Sequence, residues 1–223
     1  MLNKTDCDAM SKFIEWESES NLKKTVEDSR KTYDSIERDF VTCLEYIALD
    51  SNHFSVYSQK NSDIILKIGP EILTVSNLIL FNKKISRFFN EQPELKRQIV
   101  EIQKRKSENK DGFMDYLRAL PDLVKKRVIV EGLEQRIKPF EIKKTWLTKK
   151  EKYFYYVEWW RYGYNALKHR KMREFKEAAI FKYALFSLAG LWVLHDRLDL
   201  DWGRKGLFKS RVFRRERGTY VER

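Results

Sequence analysis

Arg161, Asn165 and His169 stand four residues apart in EWWRYGYNALKHR, residues 158–170. On an α-helix that spacing puts all three on one side, with Lys168 and Arg170 beside them. The residue types suit phosphodiester chemistry without a metal. A histidine near its ordinary pKa of about 6.5 takes and returns a proton close to neutral pH. A guanidinium or ammonium group stabilises charge on a phosphate in the transition state. An asparagine orients a 2′-hydroxyl or a phosphate oxygen. In RNA that hydroxyl is an internal nucleophile, so the protein need not supply one. The candidate catalytic set is therefore His169, Asn165, Lys168, Arg161 and Arg170. A plainer reading stands beside it, in which Asn165 and His169 hydrogen-bond the adjacent loop.

The stretch from Glu158 to Asp196 that must position these residues reads as two helices. Phe181, Leu185, Leu188 and Trp192 recur at three- and four-residue steps, which marks a core-facing stripe. Gly190 leaves room for another helix to approach. The apolar run Ala178–Leu194 is interrupted by Lys182 and is shorter than the roughly 20 residues a membrane span needs. It reads as a buried helix. His195, in VLHDRLD, reads as a cation near a helix C-terminus, where the dipole favours it.

Further helices are expected upstream. Val26, Tyr33, Ile36, Phe40, Cys43, Leu44 and Ile47 give helical spacing over 21–49, as one helix or as two with a break near Arg30. Ile64 through Ile85 give a central helix over 62–90, which Pro70 should kink or break. Glu71 inside it is either turned to the helix edge or buried against a cation. Residues 113–120 suggest a short helix that breaks at Pro121. Residues 135–149, with Trp146, read as a connector whose aromatic residues pin it to the core. A short N-terminal helix within 1–20 could dock on the body.

Eight Gly and four Pro in 223 residues argue against a turn-rich β architecture. The expected fold is all-α, a helical bundle of long antiparallel helices. Residues 1–201 form one helical domain, and 202–223 form a basic C-terminal tail or extension. The net charge is +12, and the last 22 residues hold eight basic and two acidic side chains. Such a balance favours an anionic partner, nucleic acid before a membrane surface. Arg204, Lys205, Lys209, Arg211, Arg214 and Arg215 are the candidate nucleic-acid-binding residues of that segment.

Cys7 and Cys43 are far apart and have no metal-ligand spacing. With no apolar signal segment, they read as free thiols of a cytoplasmic protein. No Gly-rich phosphate loop, metal-ligand cluster or Ser/Cys nucleophile arrangement occurs. An NTPase, a metalloenzyme or a covalent hydrolase is therefore disfavoured, and no cofactor is expected.

The NALKHR segment follows a Trp pair and precedes F-x-x-A and an apolar helix ending LAGLWVLH. This pattern resembles the active-site region of HEPN-type proteins. The resemblance covers about residues 40–195 when YIALDSNHFSVYS is included. It implies a small α-bundle and a metal-independent endoribonuclease of antiviral defence or toxin–antitoxin systems. It also implies a homodimer that joins two motif copies in one cleft, and an antitoxin or defence-system partner. The family motif is an Arg, a short spacer and a His. Here seven residues separate Arg161 from His169, about 12 Å along a helix axis. Either Lys168 or Arg170 takes the place of the Arg, or the chain is a non-catalytic nucleic-acid-binding or protein-interaction module.

Overall fold

Val26, Tyr33, Ile36, Phe40 and Cys43 form the buried face of one continuous helix, α1 (Glu19–Cys43), with no break at Arg30. The computed structural model describes residues 19–81, 113–148, 152–169, 175–201 and 208–216. The second helix, α2 (Gln59–Phe81), begins where the Ser58 hydroxyl accepts the Asn61 backbone N–H at 3.0 Å. That bond satisfies one of the orphan donors of the first turn. The helix runs on through Pro70. Its isoleucines at 64, 65, 68, 72 and 79 are completely shielded from solvent, as expected for a helix that is apolar over more than one face. The expected continuation of this helix to residue 90 and the charged segment over 91–112 lie outside the described residues, as does the N-terminal docking helix.

Short helices α3 (Phe113–Ala119) and α4 (Pro121–Lys125) flank the break that Pro121 was expected to make. Proline suits the first position of α4, since an N–H there would have no helical partner anyway.

The chain then becomes extended. Strand β1 (Val128–Val130) is flanked on both sides by antiparallel partners, β2 (Gln135–Ile137) and β5 (Phe213–Arg215). The β1–β2 turn uses two positive-φ residues, Gly132 and Glu134. A second sheet is a two-stranded hairpin of β3 (Ile142–Leu147) and β4 (Lys152–Val157), paired from Ile142↔Val157 to Leu147↔Lys152. A wide turn over Trp159–Tyr164 and short helices α5 (Asn165–Lys168) and α6 (Phe175–Ala178) lead into α7 (Phe181–Asp201).

Helices α2 and α7 start from one strap. The Phe181 and Lys182 N–H groups donate to Val56 and Phe54, and the Ser58 N–H donates to Ala179. Helix α7 is buried nearly all round, from Phe181 through Leu198. With α1 it encloses the centre of the core, including the Phe40–Phe181 stack at 5.4 Å. None of the helices among the described residues is long and apolar enough to cross a membrane.

The expected all-α bundle is therefore wrong: the fold is mixed, with two antiparallel sheets beside the helices. Two physical reasons account for the error. The strands need few turn residues, so a low Gly and Pro content does not exclude them. The β1–β5 pairing also joins segments more than 80 residues apart, which local periodicity cannot show. Residues 135–149 are accordingly more than a connector, although an aromatic residue does pin them to the core. They contain two strands, and Trp146 is 51% exposed. The residue that pins them is Phe140, fully buried against Trp159 and Phe113.

Candidate nucleic-acid interface

The β3–β4 register sorts its side chains onto two faces, because directly paired residues of an antiparallel hairpin share a face. One face carries Lys144, Trp146, Tyr153 and Tyr155. The rings of Trp146 and Tyr153 meet edge to face at 5.0 Å, and the Lys144 ammonium lies 5.0 Å from the Tyr153 ring. Tyr153 and Tyr155 are each about half exposed. At the base of this face Val157 is buried, so the hairpin is rooted in the core and its outer part stands in solvent.

The other face is closed by the wide turn. The Arg161 guanidinium lies over the Phe154, Tyr156 and Tyr162 rings at 4.5, 5.0 and 5.2 Å. Cation–ring attraction of this kind is worth about 0.5–2 kcal/mol per contact. One guanidinium nitrogen, Nη1, is shielded from solvent with no hydrogen-bond acceptor, so stacking is what holds it. Glu158 ties the base of the hairpin to α7, accepting from Lys143, from Lys182 at 2.8 Å and from the Tyr183 hydroxyl at 3.3 Å. Burial raises the Glu158 carboxyl, but the hydrogen bonds from Lys143 and Lys182 outweigh it and leave the group below its ordinary value.

The turn itself departs from the α-helical geometry expected of it. The Asn165 N–H donates to Trp160, five residues back, the bond of a π-helix, a form frequent at functional sites. Its wider winding breaks the α-type register that would align Arg161, Asn165 and His169. Arg161 is consequently committed to the aromatic rings. Lys168 is exposed, with its ammonium 5.5 Å from the Tyr164 ring. His169 is exposed and ends α5, its backbone N–H donating to Asn165 at 3.2 Å. The structure thus keeps Lys168 and His169 in solvent, with Asn165 half-buried one turn behind them. Arg170 lies outside the described residues.

Of the expected basic tail residues, Arg204 and Lys205 also lie outside the described residues. Lys209 and Arg211 have exposed side chains. Arg214 pairs with Glu131 and Glu134, and Arg215 pairs with the buried carboxylate of Asp196. Arg136, on the same sheet, pairs with Glu216 at 2.9 Å. The arginines of β2 and β5 are thus matched by carboxylates.

A second polar cluster, unforeseen as a unit, lies between α1, α2 and α7. Ser29 donates to Glu71 and lies 3.4 Å from His195 Nε2. Arg30 pairs with the buried Asp199. His195 is wholly buried, stacked on Phe208 at 4.9 Å and edge-on to Tyr33 at 5.6 Å. It is therefore no solvated cation at a helix end. Burial, and then the neighbouring Arg30 charge, push its pKa down to about 3. Burial raises Glu71, offset only in part by the Ser29 hydrogen bond. Glu71, half-buried, thus takes the Ser29 hydroxyl as its partner and not the cation expected of a buried carboxylate. With Ser29 buried and its proton directed to a carboxylate, this trio serves packing rather than nucleophilic chemistry. Among the described residues no group of three or more His, Cys, Asp or Glu could hold a metal ion.

No protein-family model, curated protein or solved structure matches this chain.

Proposed function

We propose that this protein binds nucleic acid, with the β3–β4 hairpin as its principal contact surface. The observation that carries the reading is the set of solvent-exposed rings on a basic hairpin. Five of the large apolar side chains exposed on the described surface, Trp146, Tyr153, Phe154, Tyr155 and Tyr162, belong to it or to the turn that follows. Trp146, Tyr153 and Tyr155 share one face of the hairpin, and exposed apolar clusters of this kind mark interaction sites. Residues 141–162 contain six basic and three acidic side chains within a chain of net charge +12. Cations and aromatic faces together suit a polyanion with stackable bases.

The test is fluorescence anisotropy of labelled oligonucleotides with the full chain at rising salt. Binding is expected to weaken several-fold between about 50 and 200 mM salt, as counterions are released from the phosphates. No binding at the low-salt end would end this reading.

A second reading follows from one observation: Lys168 and His169 are both exposed on the segment that continues from the hairpin. A bound RNA reaching them would meet a proton-transfer group and a cation beside its 2′-hydroxyls. The protein would then be a metal-independent endoribonuclease, with the homodimer and the antitoxin or defence-system partner that such an activity implies. Its signature is RNA cleavage that resists EDTA and disappears in His169→Ala. Cleavage retained by that variant excludes His169 as the catalytic group.

A further inference from the structure

Resting on the nucleic-acid reading, we infer that the hairpin face of Lys144, Trp146, Tyr153 and Tyr155 is a stacking platform for single-stranded nucleic acid, and that duplex is not its ligand.

The two faces of the hairpin differ in what remains open. On the Arg161 face, Phe154 and Tyr156 already have a guanidinium over them. On the opposite face the Trp146 and Tyr153 rings meet edge-on, at 70°. An edge-on pair leaves ring surface uncovered, whereas a parallel stack would use it up. Both rings and Tyr155 stand about half exposed. Successive same-face positions along a strand are about 6.7 Å apart. That is close to twice the ~3.4 Å base rise of a stacked strand. Bases can therefore lie against these rings only if they are parted from one another. A duplex keeps its bases stacked and paired, and offers such rings only its edges and phosphates. A flexible single strand parts its bases readily, and every base has a face to offer.

Charge selects the occupant. The strand sequence contributes Lys143 and Lys144 next to the rings, and the turn sequence adds more lysine. Two copies of this hairpin brought together would oppose like charges, whereas a phosphate chain running past the Tyr153 ring would meet the Lys144 ammonium. Lys143 lies on the opposite face and is committed to Glu158, so among the described residues Lys144 is the cation of this face. Ring stacking, rather than charge, should therefore supply most of the platform's binding.

The experiment titrates the full chain into a fluorescein-labelled single strand, as RNA and as DNA, and into a duplex of the same sequence. The variants are Trp146→Ala, Trp146→Phe, Tyr155→Ala and Lys144→Ala. Light scattering on each variant reports its oligomeric state, and circular dichroism reports its fold. The single strand is expected to bind more tightly than the duplex. Trp146→Ala and Tyr155→Ala should each weaken it roughly five- to hundred-fold, with Trp146→Phe restoring most of the loss. Equal affinity for duplex, or alanine variants that bind like the parent, overturns the platform while leaving salt-sensitive nucleic-acid binding standing. A parent that binds no nucleic acid overturns both. A parent that self-associates, and that Trp146→Ala converts to monomer with unchanged nucleic-acid affinity, assigns the face to a second copy and also overturns the platform.

Discussion

His195 is held neutral by its burial, with the neighbouring Arg30 charge adding to the penalty. Ser29, Arg30 and Tyr33 face it from α1 and Phe208 from the C-terminal segment, Glu71 of α2 is linked to it through the Ser29 hydroxyl, and Asp199 lies one turn on along α7. Its pKa is about 3 in the fold against about 6.5 in an unfolded chain. Between those values the unfolded state binds the proton and the folded state does not. Stability contributed by this residue is therefore fully present above about pH 6.5 and is lost as pH falls toward 3, by up to about 1.4 kcal/mol per pH unit. Glu71 runs the other way. A carboxyl raised above its unfolded value costs stability at neutral pH and regains it as pH falls through the raised value. The Glu71 side chain is only partly shielded, so the histidine dominates. Urea denaturation between about pH 4.5 and 7.5 should show falling stability on acidification. His195→Phe, which fills the same space without a titrating group, should flatten that slope. An unchanged slope in the variant would assign the acid sensitivity elsewhere.

At the scale of elements, the attachment of the wide turn to α2 depends on one glycine. A Cβ built on Gly69 would sit 1.9 Å from Tyr164 Cε2 and 2.4 Å from its Cζ. Replacing glycine within a helix by alanine ordinarily stabilises by about 0.5–1 kcal/mol. Here the ring must move instead, and overpacking of this kind costs about 1–3 kcal/mol. Gly69→Ala should therefore destabilise the protein, and Tyr164→Leu added to it should recover much of the loss. A Gly69→Ala variant as stable as the parent would mean that Tyr164 shifts freely. Neither side of this contact was legible in the sequence, where Pro70 alone marked the kink or break expected of this helix. Legibility elsewhere follows the same division. The stripes of α1, α2 and α7 repeat within one element, and Phe181, Leu185, Leu188 and Trp192 are buried as their spacing implied. The strands were obscured because Lys143, Trp146 and Tyr153 point outward rather than into a core. Lys168 and His169 are exposed on a helix end, but the alignment with Arg161 was lost to a π-turn that spacing alone does not reveal.

The whole molecule is closed by its C-terminal segment, which the sequence leaves open as a basic tail or an extension. Val212 and Phe213 are buried, β5 completes the three-stranded sheet, and Phe208 covers His195. Glu37 accepts from the Ser210 hydroxyl and from the Arg211 backbone N–H at 3.1 Å, while Arg215 reaches the buried Asp196 across to α7. Removing the segment would leave Asp196 and Glu37 as carboxylates without these partners, and a buried charge stripped of its partner costs about 3–5 kcal/mol. A truncated chain that fails to bind nucleic acid would thus report unfolding rather than lost contacts. Point variants separate the two effects. Phe213→Ala should cost about 3–5 kcal/mol in denaturant unfolding, the range for an aromatic ring deleted from a packed core. Arg214→Ala, which breaks only exposed ion pairs, should cost less than about 1 kcal/mol. Lys209→Ala and Arg211→Ala, with exposed side chains, should leave stability unchanged, so any loss of affinity in them measures charge contacts alone. A Phe213→Ala chain as stable as the parent would show that the segment is appended to the fold and does not close it.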